Sequence, residues 1–190
     1  HRDLHSFPTR RSSDLGGITL AGNATINAAS STIMAEPITG AFNLTKAGSG
    51  SLRLDMANTY SGNTVISEGT LQLNNASAIP SSTLTANGTL DLNGFSTTLG
   101  GLNGSGSVDN TAVTSATLTI GTNNANGSFS GTIMNSSGSL SLVKIGTGTQ
   151  TLPSGYTYSG PTVVSGGTLS VATSVNVPST PGDIVVSNSA

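Results

Sequence analysis

The chain has 190 residues, a formal net charge of −2 and 7% charged residues, and it contains no cysteine. This composition excludes disulfides, thiolate nucleophiles and cysteine metal sites, and it lacks the basic balance of a nucleic-acid-binding protein. No apolar run approaches the ~20 residues of a membrane-spanning helix. Short alternating apolar and polar runs argue against a disordered linker, because such runs can bury one face of a strand.

The first fifteen residues differ in composition from the rest of the chain. Residues 1–15 contain both histidines and three of the six basic residues. We interpret this leader as a translated sequencing adapter or a cloning scar, or else as a disordered N-terminal tail. The predicted folded part is therefore residues 16–190.

From Gly16 onward the sequence predicts strands in a short repeating order. An apolar pair recurs at a step of about 19 residues, and a similar step separates other apolar residues. A wider step of about 22 residues predicts a loop insertion on one face. The residues concerned are Leu52, Leu71 and Leu90, Leu54, Leu73 and Leu92, Val65 and Leu84, and Leu152 and Val171, with the wider step between Leu118 and Leu140.

This period favours a coil over a meander of hairpins. Asn87-Gly88 alone is typical of a hairpin turn. In a meander, however, turns come about every 8–12 residues, whereas here the same apolar pair returns only after a full step. We therefore predict an all-β fold, a parallel β-helix or solenoid with about 19–22 residues per rung, in which like residues stack on like.

A longer repeat is superimposed on the rungs. Residues 44–73 align without a gap to residues 142–171, 98 positions later (142 minus 44), and about half of the positions are identical. We assign one long repeat to residues 44–141 and a second, truncated one to residues 142–190. Gln150 stands where the first copy has Leu52, which weakens the prediction of a strand at that place.

The residues shared by the two copies resemble the autotransporter-associated β-strand repeat, the passenger-associated repeat of bacterial type V secretion proteins. The resemblance implies a right-handed parallel β-helix passenger at the cell surface or outside the cell. It also implies a partner, a C-terminal outer-membrane β-barrel of the same polypeptide, so we expect this chain to be a fragment. The predicted repeat signature consists of Lys46, Gly48, Gly50, Tyr60, Ser61, Gly62, Thr64, Gly69, Thr70 and Leu71, and of Lys144, Gly146, Gly148, Tyr158, Ser159, Gly160, Thr162, Gly167, Thr168 and Leu169.

Few residues could carry chemistry. Outside the leader there is no histidine, which removes Ser-His-Asp catalysis and most zinc sites. Asp55 and Asp91 could lie near one face, as the two carboxylates of a glycosidase do. The alternative for Asp91, at an outward strand position, is a solvated surface carboxylate. We predict no catalytic residue, no metal ligand and no cofactor.

Two matched pairs of side chains allow two interpretations each. Lys46 and Lys144 could form a ligand-binding ladder, or they could serve solubility and protect strand edges from pairing. Tyr60 and Tyr158 could stack against a sugar, or they could be corner residues of the coil. The sequence does not separate these interpretations.

Three functions follow from this pattern. The leading one is a non-enzymatic structural stalk segment of an exported autotransporter-like surface protein. The alternative is an adhesin-type module that contacts a surface glycan or a protein ligand. A β-helical polysaccharide lyase or hydrolase fits less well, because it would need clustered carboxylates and basic residues in a groove.

Overall fold

A computed structural model describes residues 17–152 and 156–171, together with the backbone of residues 184–186. The leader of residues 1–15 and the carboxylate Asp183 lie outside the described residues. The regular elements of the described part are strands: β1 (Ile18–Leu20), β2 (Ala24–Asn27), β3 (Thr32–Met34), β4 (Ile38–Gly40), β5 (Leu44–Ala47), β6 (Ser51–Leu54), β7 (Thr64–Ile66), β8 (Thr70–Leu73), β9 (Thr83–Ala86), β10 (Thr89–Asp91), β11 (Thr97–Leu99), β12 (Gly101–Asn103), β13 (Ser107–Asp109), β14 (Ala116–Ile120), β15 (Gly127–Ser128), β16 (Thr132–Ile133), β17 (Leu140–Lys144), β18 (Thr149–Leu152), β19 (Thr162–Val164), β20 (Thr168–Val171) and β21 (Ile184–Val186).

The strands stack in three columns along a solenoid of about eight turns. The first column contains β2, β5, β7, β9 and β12, and it continues through a bridge between Gly104 and Phe129 with β15, β18 and β20. The second contains β3, β6, β8, β10, β13 and β16. The remaining strands, β1 and β4 towards one end and β11, β14, β17, β19 and β21 towards the other, form the third side. Every strand pair of the described part is parallel, which confirms the predicted parallel solenoid and excludes a hairpin at Asn87-Gly88. The right-handed sense of winding stays a prediction.

The core is a set of inward side chains that repeat at the same place on successive turns. Leu52, Leu71 and Leu90 are direct register partners and are fully buried. Leu54 pairs with Leu73 in the same way. Each buried leucine contributes about 1.5–3 kcal/mol relative to an exposed one, and stacking keeps this burial continuous along the axis.

The turn length varies more than the sequence predicts. Leu84 pairs with Leu102, which makes one of the shorter turns, and Ser107 pairs with Thr132, which makes one of the longer turns. These turns have 18 residues (102 minus 84) and 25 residues (132 minus 107), so the predicted range of about 19–22 residues per turn is too narrow. The wide turns coincide with the predicted insertion, but Leu118 pairs with Leu142 rather than with Leu140. A shift by two positions keeps a side chain on the same face of a strand, so the apolar pattern could not detect it.

A second register prediction was wrong by one position. Val65 pairs with Thr85, whereas Leu84 pairs with Thr64. Leu84 is fully buried, and Val65 points outward and is half-buried. Because successive side chains of a strand point to opposite faces, the apolar spacing matched an outward residue to an inward one.

Glycines form a column at the corner between the first and second columns of strands. A Cβ atom added at Gly69 would collide with the carbonyl oxygen of Gly50, and one at Gly88 with that of Gly69. The same holds for Gly106 over Gly88 and for Gly131 over Gly106. Successive corners therefore pack backbone on backbone, which requires glycine where the chain approaches itself closely.

Candidate functional site

The repeat signature occupies equivalent strands and corners in its two copies. In the first copy it spans β5 to β8, and in the second it spans β17 to β20. Leu71 is fully buried, whereas its counterpart Leu169 is half-buried. Ser61 is exposed, and its backbone N–H donates to the carbonyl oxygen of Gly40 on the previous turn. The signature thus marks a structural unit made of strands and the corners that join them.

A buried lysine lies near the start of the first copy, in β5. Lys46 points inward from β5 and is 0% exposed. Its Nζ donates hydrogen bonds to the carbonyl oxygens of Gly48 at 2.6 Å, Glu68 at 3.0 Å and Ala47 at 3.1 Å. Burial lowers the pKa of Lys46, and the negative charge of Glu68 partly opposes this effect. The lysine therefore joins two successive turns at a corner.

The second copy repeats this arrangement. Lys144 is buried, and its Nζ donates to the carbonyl oxygens of Ile145 at 2.6 Å, Gly166 at 3.3 Å and Gly146 at 3.4 Å. Burial lowers its pKa as well. Gly166 replaces Glu68 without loss of the contact, because the acceptor is a backbone oxygen. The expectation that these lysines are solubilising or edge-protecting charges is wrong, and their burial also rules out a ligand-binding ladder.

A glycine with a positive φ covers each lysine. Gly69 has φ +62° and Gly167 has φ +64°, in the left-handed region that favours glycine. A Cβ atom at Gly69 would lie 2.8 Å from the Nζ of Lys46, and one at Gly167 would lie 2.9 Å from the Nζ of Lys144. In both copies the ammonium thus occupies space that a side chain at this glycine would need, although more than one full turn of the chain separates the two residues in sequence.

The two matched tyrosines are buried corner residues. Tyr60 is 1% exposed and Tyr158 is 5% exposed. The hydroxyl of Tyr60 lies 2.7 Å from Oγ1 of Thr64, and that of Tyr158 lies 2.6 Å from Oγ1 of Thr162. Burial raises the pKa of Tyr60 to about 12 and raises that of Tyr158. Neither ring presents a face on which a sugar could stack.

The two copies do not face the same way. β5 and β6 belong to the first and second columns, whereas their counterparts β17 and β18 belong to the third and first columns. The second copy is therefore displaced by one side of the solenoid relative to the first. Outward residues that match in sequence, such as Thr45 and Val143, consequently lie on different sides.

The carboxylates that could have formed a catalytic pair are engaged separately. Asp55 accepts hydrogen bonds from Arg53 Nε at 2.6 Å and Nη2 at 3.0 Å, and from Asn74 Nδ2 at 3.1 Å. The hydrogen bonds from Arg53 lower the pKa of Asp55. Asp91 is the last residue of β10, and its register partner two turns away is Arg53, so Asp55 lies two positions further along the chain and on the same face.

Asp91 is not the solvated surface carboxylate that its outward position indicated. It is 3% exposed. It accepts hydrogen bonds from Gln72 Nε2 at 2.8 Å, from the backbone N–H of Asn93 at 2.9 Å, and from both the backbone N–H and the hydroxyl of Thr111. Its register partner Asp109 is bound in a similar way by Ser136. No group of three or more His, Cys, Asp or Glu residues that could hold a metal lies within residues 17–152 or 156–171.

Gln150 forms the strand that its polarity had made uncertain. It lies in β18, is 1% exposed, and pairs with Gly127 on the turn below. Its Nε2 donates to the carbonyl oxygen of Leu102 at 2.8 Å, and its Oε1 accepts from the N–H of Leu102 at 3.1 Å. Gly127 leaves room for this side chain, which reaches two turns down. The amide thus binds the backbone where the ladder between β12 and β15 is reduced to a single bridge.

An asparagine ladder was missed by the sequence analysis. The Oδ1 atoms of Asn23 and Asn43 accept from the backbone N–H groups of Asn43 and Asn63, at 3.1 and 2.7 Å. Asn63 does the same for Thr83 at 3.3 Å. Each side chain therefore ties its own turn to the next. The constant spacing between Asn23, Asn43 and Asn63 was visible in the sequence and could have revealed the ladder.

Comparison with known families identifies the repeat. The family described as passenger-associated-transport-repeat matches residues 44–73 and 142–171, the two segments that hold the buried lysines and tyrosines. No curated protein and no solved structure matches the chain. The described residues contain no helix that could cross a membrane.

Proposed function

Because the chain carries two copies of the passenger-associated-transport-repeat, we propose that it is a stalk segment of an exported autotransporter-like surface protein. The repeat and the solenoid fit a passenger-like structural segment. In this proposal the polypeptide continues into a C-terminal outer-membrane barrel, and the solenoid stands at the bacterial cell surface. Its task is to hold other parts of the protein at a distance, and it has no catalytic role.

One observation carries this proposal: the residues that define the repeat build the buried core and the corners of the stack. The ammonium of Lys46 binds carbonyl groups from two turns. Tyr60 and Thr64 bind each other inside the core. Gly69 permits close contact between corners. A segment selected for such features is selected for a continuous stack, as a stalk requires.

The displacement between the copies also supports a stalk over a binding face. A repeated surface that binds a glycan or a protein at two places gains from presenting both places on one side. Here the matched outward residues lie on different sides of the solenoid. The matched tyrosines, which are the aromatic side chains of the signature, are buried.

Surface display tests the proposal. The chain would be placed between an N-terminal epitope and an autotransporter barrel in a Gram-negative host. We expect the epitope to be accessible to antibody on intact cells, and the solenoid to resist added protease. A matched variant, Gly69→Asp, should reduce both the antibody labelling and the protease resistance. A side chain at this position collides with two carbonyl oxygens and with Nζ of Lys46. Gly22→Asp is the control, since nothing lies within 4 Å of a Cβ atom at Gly22.

The same cells separate the alternatives. An adhesin would make the displaying cells bind a glycan array or a host surface, and an epitope-displaying cell without such binding would favour the stalk. A lyase or hydrolase would release products from polysaccharide substrates. If the wild-type chain reached the surface but was digested as quickly as the Gly69→Asp variant, the stalk proposal would fail.

A further inference from the structure

The sequence contains four Asn-Gly pairs, at Asn87, Asn93, Asn103 and Asn126. Asparagine before glycine is chemically labile, because glycine has no Cβ to hinder attack of its backbone nitrogen on the asparagine side chain. The reaction requires the side-chain carbonyl carbon to swing onto the nitrogen of the next residue. Hydrogen bonds that hold the side-chain amide elsewhere oppose this movement.

Three of the four side chains are held in this way. The Oδ1 of Asn103 accepts from the N–H of Ser128 at 2.8 Å, and the Oδ1 of Asn126 accepts from the N–H of Thr149 at 2.7 Å. The Nδ2 of Asn93 donates to the carbonyl oxygen of Leu73 at 3.0 Å. Each of these bonds links two turns, so breaking it opens the stack locally.

Asn87 differs from these three. It is exposed, as Asn126 is, but no hydrogen bond joins its side chain to any of the described residues. The glycine N–H groups do not account for the difference: Gly88 donates to Ile66 at 3.1 Å, and Gly104 likewise donates to Ser128 at 3.3 Å. What distinguishes Asn87 is the freedom of its side-chain amide.

We propose that Asn87-Gly88 is the site at which this solenoid undergoes spontaneous deamidation. The nitrogen of Gly88 loses its proton and bonds to Cγ of Asn87, and ammonia leaves to give a succinimide. Water then adds to one of the two ring carbonyls, and the ring opens to aspartate or isoaspartate. No other reactant is needed.

The product alters a tight corner. Isoaspartate adds a methylene group to the backbone and a negative charge to the side chain. The peptide of Asn87-Gly88 lies directly below Gly106, where a Cβ atom would be 2.7 Å from the carbonyl carbon of Asn87. A longer backbone at this place displaces the Gly106 corner, so we expect modification to open the solenoid to protease between β9 and β13.

The test is peptide mapping of the folded chain. The purified protein is incubated at mildly alkaline pH, samples are digested with pepsin, and each Asn-Gly peptide is followed by tandem mass spectrometry. We expect Asn87 to deamidate about five- to tenfold faster than the other three, the factor that corresponds to releasing one hydrogen bond first. In urea, where these bonds are absent, the four rates should converge.

Two results would overturn the proposal. One is that Asn103 or Asn126 deamidates as fast as Asn87 in the folded chain. The other is that folding protects Asn87 as fully as the other three. An Asn87→Gln variant provides the control, because glutamine would have to form a less favourable six-membered ring. It should keep its amide and also lose the time-dependent protease sensitivity.

Discussion

Replacement of Lys46 by methionine tests whether the buried ammonium holds the corner. Methionine retains most of the apolar stem but removes all three hydrogen bonds. The carbonyl oxygen of Ala47 also accepts from the N–H of Ala28 at 2.8 Å, so it keeps a partner. Those of Gly48 and Glu68 have no second donor among the described residues, so the substitution removes their protein partner.

The structure sets the scale of the effect. A buried acceptor without a partner costs about 1–3 kcal/mol, so the two acceptors at this partly buried corner cost at most about 2–6 kcal/mol. Removing the charge offsets part of this cost, because burying an ammonium is itself unfavourable. We expect Lys46→Met to lower the free energy of unfolding by about 2–4 kcal/mol at neutral pH.

The pH dependence separates the charge from the hydrogen bonds. Burial lowers the pKa of Lys46 below its usual 10.5. Below the folded pKa, both states bind the proton and the folded protein carries the full cost of the charge. Between the folded pKa and 10.5 the unfolded chain binds more protons, so stability rises with pH. Lys46→Met should remove the part of this rise that comes from Lys46. The difference in free energy of unfolding between the variant and the wild type should therefore widen as pH rises.

Urea denaturation followed by circular dichroism, at neutral pH and again near pH 10, measures both effects. Thr45→Val is the control, because Thr45 is an outward residue of the same strand and its register partner on the next turn is Val65. Its effect should stay within about 0.5 kcal/mol. Equal stability of Lys46→Met and wild type at neutral pH would refute the role assigned to the three carbonyl contacts.

Three further predictions concern other contacts. Gly69→Ala should destabilise by at least about 2 kcal/mol, because it combines a positive φ with a backbone collision, whereas Gly22→Ala should be nearly neutral in the same urea assay. Burial raises the pKa of Tyr60 from 10.0 to about 12, so the stabilising contribution of Tyr60 should be complete below pH 10 and be lost as pH rises towards 12. An ultraviolet titration that shows normal tyrosine ionisation in the folded chain would contradict this. Gln150→Leu, which makes the second copy more like the first, should nevertheless lower stability by about 1–3 kcal/mol because it leaves the N–H and C=O of Leu102 without partners; a gain in the thermal midpoint would refute this.

The sequence was informative wherever one residue type recurs at a fixed step. Leu52, Leu71 and Leu90 predicted the turn length and the parallel stack, because a narrow core accepts similar side chains at each level. The sequence did not predict that Lys46 is buried, because an ammonium is expected in water unless hydrogen-bond partners surround it. Its three carbonyl partners come together only when one turn stacks on the next, and one of them, that of Glu68, belongs to the following turn.

The repeat and its period could thus be determined from the sequence alone, since identical residues at regular spacing need identical surroundings. The tertiary structure decided which polar side chains are inside. Asp91 and Gln150 occupy places that the pattern assigned to the surface or made uncertain, and both are buried by contacts with other turns. It also decided which sides of the solenoid the two copies occupy. Turns of unequal length accumulate a displacement between the first copy and the second, and only the stacked backbone shows on which side of the solenoid the second copy lies.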